Sequence, residues 1–279
     1  MLRPIFLLCL LVLVPMSLAI PVNAEPHSAS RSPGDEYASA LAVPFGPGEA
    51  LTYKVMLGIF PVGETSMLVP AIEPTRGIST YRVEGRIKGG IPFFRVDTKF
   101  HSWIDIERMV TLRFIQDQHE GHYTRFREFE FYPEQRRWKR ADNDEEGVLA
   151  TPLPLDGLAF LYFARSLKLE VGREYRFNRY FQESGNPIIL KVLRRDRRVV
   201  PAGTFNTIVV QPIIRTDGLF GEGGNAELHL SDDPSRLLVY VKTEMPGINL
   251  TLHLKSIRNG VPIHGDPMAR AEVRSGPHF

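Results

Sequence analysis

The sequence predicts a mainly β protein: a strongly curved antiparallel sheet, or an open or closed β-barrel, with one central apolar helix. Three observations predict it. Apolar and polar residues alternate with period two through most of the chain, turn residues separate the alternating runs, and one segment of helix length breaks the pattern. About a dozen strands joined by short connections suit an antiparallel sheet that curves or closes on itself.

The chain of 279 residues opens on a basic start, Met1-Leu2-Arg3, followed by an apolar run over 5–13 and small residues at Val22-Asn23-Ala24. About 9 apolar residues fall short of the ~20 that a membrane-spanning helix needs. The expectation is a cleaved signal peptide over 1–24, no transmembrane span after cleavage, and a periplasmic protein with association with the outer membrane as a further expectation. Residues 25–44, rich in Ser, Pro, Ala and Gly without periodicity, predict a disordered leader. A single β-rich domain follows over 45–258, and 259–279 is expected to be a flexible tail.

Within the domain Leu51, Tyr53, Val55 and Leu57 alternate with Thr52, Lys54 and Met56, and Tyr81, Val83, Gly85 and Ile87 alternate with charged residues. Similar runs are read at 96–106, 110–116, 123–132, 175–181, 188–194, 207–214, 226–230, 237–244 and 249–257. Turns are placed at Gly89-Gly90, Pro201-Ala202-Gly203, 231–234 and Met245-Pro246-Gly247. The exception is 156–167, where Asp156 can cap a helix and apolar residues occupy most of the circumference. A helix apolar on nearly all sides must be covered on more than one side, which places it in the concave face of the sheet.

The composition excludes several classes of function. Lys and Arg number 34 against 32 Asp and Glu, so no electrostatic footprint for nucleic acid exists. The single cysteine, Cys9, lies in the expected signal peptide, leaving no disulfide, thiolate ligand or cysteine nucleophile.

Motifs that could carry chemistry have simpler readings. Asp142, Asp144, Glu146 and Gly147 match the start of a calcium loop, but Leu153 stands where a bidentate Glu is needed, so a solvated acidic hairpin is expected. The G-x-G-x-x-A run Gly221 to Ala226 is followed by a strand pattern and not a helix, so it reads as a mobile glycine loop. His119 and His122 cannot chelate together from one strand. His101, His229 and His253 fall on the polar phase of strands and are expected to be solvated. The basic clusters Arg136-Arg137-Trp138-Lys139-Arg140 and Arg194-Arg195-Asp196-Arg197-Arg198 read as hairpin ends, with contact to anionic lipid as the functional alternative. No cofactor and no metal site is implied.

Several segments resemble an exported bacterial family catalogued as domain of unknown function 3108. They are Gly48-Glu49-Ala50-Leu51-Thr52-Tyr53-Lys54-Val55, Ile59-Phe60-Pro61-Val62-Gly63-Glu64, the helix from Asp156 to Arg165, Val200-Pro201-Ala202-Gly203-Thr204-Phe205, and the stretch from Glu227 to Leu237. The resemblance covers about 48–257 and implies an envelope protein of β-rich fold. More distantly, the chain is similar to open-barrel carriers that move lipoproteins across the periplasm. The family offers no catalytic residues to carry over.

The leading expectation is a non-enzymatic envelope protein that binds a hydrophobic or amphipathic, lipid-like ligand in the concavity. Tyr53 and Phe100, by strand phase, and Phe160 and Phe163, by the apolar girth of the helix, are the expected lining residues. The alternatives are a structural or assembly factor acting through contacts with another envelope protein, and a hydrolase using Ser, His or carboxylates at the rim. Oligomeric state and partner identity are not encoded in any pattern of the chain.

Overall fold

The computed structural model describes residues 43–214, 225–245 and 248–262. The expected signal peptide, nearly all of the leader, the glycines at 221–224, the turn at Pro246-Gly247 and most of the tail lie outside the described residues.

The strands are β1 (Ala50–Leu57), β2 (Phe60–Thr75), β3 (Ile78–Ile91), β4 (Phe94–Asp105), β5 (Thr111–Glu120), β6 (Tyr123–Tyr132), β7 (Arg137–Arg140) and β8 (Glu146–Val148). Helix α1 (Gly157–Arg165) comes next, then β9 (Glu174–Phe177), β10 (Ile188–Val200), β11 (Gly203–Ile213), β12 (Asn225–Ser231), β13 (Leu238–Met245) and β14 (Ile248–Arg258). They form one antiparallel sheet of 14 strands in the order β8-β7-β6-β5-β4-β3-β2-β1-β14-β13-β12-β11-β10-β9. The chain therefore starts mid-sheet and meanders out to one edge at β8. It crosses through α1 to the opposite edge at β9, then meanders back until β14 pairs with β1.

No ladder joins the two edge strands. The connections beside them meet instead: Ala150 N–H donates to the Phe181 carbonyl at 2.9 Å and Leu155 N–H to the Arg179 carbonyl at 2.8 Å. The Phe181 ring packs edge-on against Phe129, Phe131 and Trp138, with centroids 5.6, 5.5 and 5.8 Å away. The result is an open, curved sheet whose gap is sealed by side chains. Such a closure needs no continuous hydrogen-bonded seam and still shields the edges.

The two ends of the sheet differ. At one end the hairpins β1–β2, β3–β4 and β5–β6 turn tightly, pairing Leu57 with Phe60, Ile91 with Phe94 and Glu120 with Tyr123. At the other end α1 lies across the interior. The helix is wholly buried from Leu158 to Arg165, and Tyr162, Phe163 and Ala164 have no exposed surface. The expectation of a central apolar helix within a curved sheet therefore holds, and Asp156 is its N-cap.

Four local readings are corrected. β2 escaped the alternation search because Pro61, Gly63, Pro70 and Pro74 read as punctuation. Pro70 is exposed where the β2–β3 register shifts between Leu68 and Ala71, so its missing N–H costs no ladder bond. Gly89 and Gly90 do not make a turn but belong to β3. A Cβ on Gly63 would come within 2.4 Å of the Lys88 carbonyl, and one on Gly89 within 2.2 Å of the Val62 carbonyl. The glycines let β2 and β3 approach. The basic clusters are not hairpin ends: Arg137–Arg140 is β7, and Arg194 to Arg198 lie inside β10. Their charges meet carboxylates, Arg194 with Glu227 and Arg195 with Asp232 at 2.9 and 2.8 Å, and Arg140 with Asp142 and Glu145.

The fourth correction concerns His229, which is fully buried and not solvated. Its ring meets Tyr240 edge-on at 5.1 Å, and Arg198 Nε lies 3.3 Å from Nδ1. Long neighbouring side chains on the outer face of the sheet roof it over. Burial and the neighbouring Arg198 push its pKa down to about 4, so it is neutral at pH 7. Of the acidic run 142–147, residues 142–145 lie in the hairpin loop between β7 and β8, and Glu146 and Gly147 open β8. Its Asp142 accepts from the Glu128 N–H at 2.9 Å and from Arg140, and no group of metal-binding side chains occurs among the described residues.

Candidate functional site

The candidate site forms where α1 faces the strands. Asp156 fixes one end of the helix. One carboxylate oxygen accepts from the Leu158 and Ala159 N–H groups at 2.8 and 3.0 Å, and the other from Ser102 Oγ at 2.6 Å and Thr111 Oγ1 at 2.8 Å. Thr111 Oγ1 also accepts from the Asp156 N–H at 3.0 Å. A single side chain thus caps the helix and ties it to β4 and β5. Burial pushes its carboxyl pKa up, against the pull of these four donors.

Arg165 fixes the other end. Its guanidinium is fully buried and donates to both carboxylate oxygens of Glu49, at 2.6 and 2.8 Å. Nε donates to the Arg236 carbonyl at 3.0 Å, and the group lies 5.3 Å above the rings of both Phe45 and Tyr162. Burial works against the charge, but the bonds to Glu49 outweigh it and hold the arginine pKa above its ordinary value. The helix is therefore pinned at both ends by buried, hydrogen-bonded side chains, and between them the Arg179 guanidinium lies 4.5 Å above the Phe163 ring.

Between these anchors lies a cavity of about 30 Å³, lined among others by Tyr53, Met67, Gly85, Ile87, Phe100, Leu158, Leu161, Leu228, Val241 and Leu252. Gly85 on β3 faces Phe100 across the strand pair, and a Cβ there would sit 3.5 Å from both Leu158 and Phe100. The missing side chain is part of what leaves the space. Thr65, Ser66 and Arg86 are among the cavity's lining residues, and Tyr53 adds a buried hydroxyl. Tyr53 is fully buried, and its hydroxyl has no hydrogen-bond partner among the described residues. Burial raises its pKa far above that of a free tyrosine, so it stays protonated and able to donate.

Of the four residues expected to line a site, Tyr53 and Phe100 are in this lining. Phe160 and Phe163 are buried on α1 but are not lining residues of this cavity, and Phe163 packs edge-on against Phe177 with centroids 5.1 Å apart. The Glu49–Arg165 pair went unread in the sequence, although a lone arginine closing an otherwise apolar helix was a signal that a buried acid waits opposite.

Further along the inner face toward the hairpin end, apolar residues give way to polar ones. Gln116, Gln118 and Glu120 follow one another on the inner phase of β5, and Gln118 Nε2 donates to Glu120 at 2.7 Å. Arg127 on β6 stands opposite Gln116. Burial pushes the Glu120 pKa up to about 7 and, with Arg125 nearby, brings the Arg127 pKa down to about 10. The inner face of β5 and β6 is thus polar toward the hairpin end, while Val55, Val62 and Val96 keep the neighbouring strands apolar there.

These features sit in a known framework. The chain belongs to the family described as Protein of unknown function (DUF3108), whose profile matches residues 52–255. That family gives no indication of enzymatic activity. No curated protein matches the chain. Among solved structures, a beta-barrel-like protein of domain of unknown function DUF1849 from Brucella abortus is similar at 9% identity, covering 78% of this chain and 99% of that one, with a TM-score of 0.48. A Bacteroides fragilis protein with a YmcC-like fold is similar at 10% identity, covering 79% and 100%, with a TM-score of 0.30.

Proposed function

We propose that this is a non-enzymatic protein of the bacterial envelope that takes up the apolar part of a lipid-like molecule between α1 and the sheet. The observation that carries the reading is the Tyr53 cavity: mostly apolar walls under α1, and a buried hydroxyl without a hydrogen-bond partner among the described residues. Apolar pockets with a few placed polar groups are the usual form of small-molecule sites. A cavity of about 30 Å³ is far too small for an acyl chain, which enters only if Leu158 and Leu161 move aside. The described conformation is then the closed one, and ligand would draw the protein toward an opened state.

The same small volume favours a second reading, a structural or assembly factor whose interior is simply well packed. A displacement titration with a fluorescent acyl-chain probe separates the two. Saturable binding that unlabelled lipid displaces, weakened in Tyr53→Phe, supports uptake. Binding that is absent or cannot be displaced supports the packed interior.

A further inference from the structure

We propose that the hairpin end of the sheet is a membrane-contact rim, with Ile59, Phe60, Ile91 and Phe93 inserting at the headgroup level of an anionic bilayer. This deepens the lipid reading by naming the bilayer as the source of ligand, and it stands on separate observations.

Large apolar side chains are rare at full exposure unless something covers them, and contiguous ones mark interaction sites. Ile59 is 82% exposed, Phe60 66%, Ile91 39% and Phe93 101%. All lie at the turns of the two neighbouring hairpins β1–β2 and β3–β4. With strands ~4.8 Å apart, those two tips stand roughly 10 Å from one another. This end is opposite the one that α1 occupies.

Phe93 carries a second signal. Its φ is 68°, in the left-handed region that favours glycine, and it follows Pro92 in a tight turn. In the β1–β2 and β5–β6 turns the left-handed residues are glycines, Gly58 at 58° and Gly121 at 59°. A phenylalanine at this position is thus strained in its backbone and bathed in water, and it packs nothing. Strain of this kind persists where function retains it.

A bilayer is the occupant that fits. Two narrow turns supply far less than the roughly 1,000 Å² of a specific protein interface. Lys88 and Arg95 are exposed on the strands just behind the tips, Lys88 opposite Asp97 on β4, which places cations at the depth of anionic headgroups. Aromatic residues prefer that same interfacial depth.

The test is co-sedimentation of the full chain with sucrose-loaded vesicles of phosphatidylglycerol and phosphatidylethanolamine, with phosphatidylcholine vesicles as control. The wild-type chain should pellet with anionic vesicles. Phe93→Gly and the double change Ile59→Ser with Phe60→Ser should each lower the bound fraction at least about fivefold. Phe93→Gly should also melt at the same or a higher temperature, because the strain is relieved, so lost binding cannot be lost folding. Wild-type protein left in the supernatant, or variants that pellet equally, would overturn the proposal. So would a concentration-dependent dimer that Phe93→Gly dissolves, since a second copy would then cover the rim. Acyl-probe binding without vesicles should be unchanged in Phe93→Gly. Its loss in every variant and the wild type would defeat the cavity reading and leave the rim standing.

Discussion

Arg165 and Glu49 form an ion pair buried in the core. Both are buried, and each supplies the other's charge compensation through two hydrogen bonds. Removing one partner leaves a charge stranded in the core, which costs about 3–5 kcal/mol, whereas replacing both by apolar groups of similar volume is often close to neutral. Arg165→Met should therefore lower urea stability by about that much, and adding Glu49→Leu should recover most of the loss. Equal loss in the single and double variants would mean that the pair serves packing alone. Two other residues make stability depend on pH in opposite directions. The folded-state pKa of His229, about 4, lies below the unfolded 6.5, so between those values only the unfolded chain holds the proton. Stability is then lost as pH falls from 6.5 to 4. Glu120 does the reverse. Its folded pKa of about 7 lies above the unfolded 4.5, so stability is full below 4.5 and is lost as pH rises to 7. Glu120→Gln keeps the acceptor for Gln118 and should stabilise the protein by up to ~3 kcal/mol at pH 7.5, with no gain at pH 4. His229→Gln should remove the acid-side loss. Urea titrations of both variants across pH 4–8 check the signs.

Among the elements, α1 decides the architecture, and it was the most legible. Asp156 after Pro152 and Pro154, then an apolar run of helix length, permitted only a buried helix. The cap observed is the one read, although its additional bonds to Ser102 and Thr111 depend on contacts across 45 residues or more that no local pattern shows. Asp156→Ala should cost at least about 2 kcal/mol, because it removes a helix cap and leaves two buried hydroxyls without an acceptor. A loss below about 0.5 kcal/mol in urea unfolding would show that the helix needs no such anchor. Strands with regular alternation, such as β1, β3 and β6, were readable because one face is buried and the other solvated. β2 was hidden by its prolines and glycines, whose purpose is visible only beside β3. The charged stretches of β7 and β10 read as turns because the carboxylates that neutralise them come from neighbouring segments and partner strands. Burial of His229 was invisible for the same reason: its roof is assembled from β10 and β13.

For the whole molecule, the topology explains why a helix and an open sheet go together. A meander that begins in its own middle leaves two free edges, and the chain must cross from one to the other between β8 and β9. That crossing carries α1 through the interior, where the helix fills the space a closed barrel would fill with side chains. Half of the expected lining, Tyr53 and Phe100, followed from strand phase. The cavity itself did not, since it depends on a glycine facing Phe100 and on how closely Leu158 approaches it. The measurement that bears most directly on uptake beneath α1 is acyl-probe affinity in Gly85→Ala, read together with its melting temperature. The added methyl makes ordinary contacts and removes a strand glycine, so the variant should be about 0.5–1 kcal/mol more stable. If lipid enters beside Leu158, probe affinity should fall several-fold in that stabilised protein. A higher melting temperature with unchanged probe affinity would contradict uptake at this place.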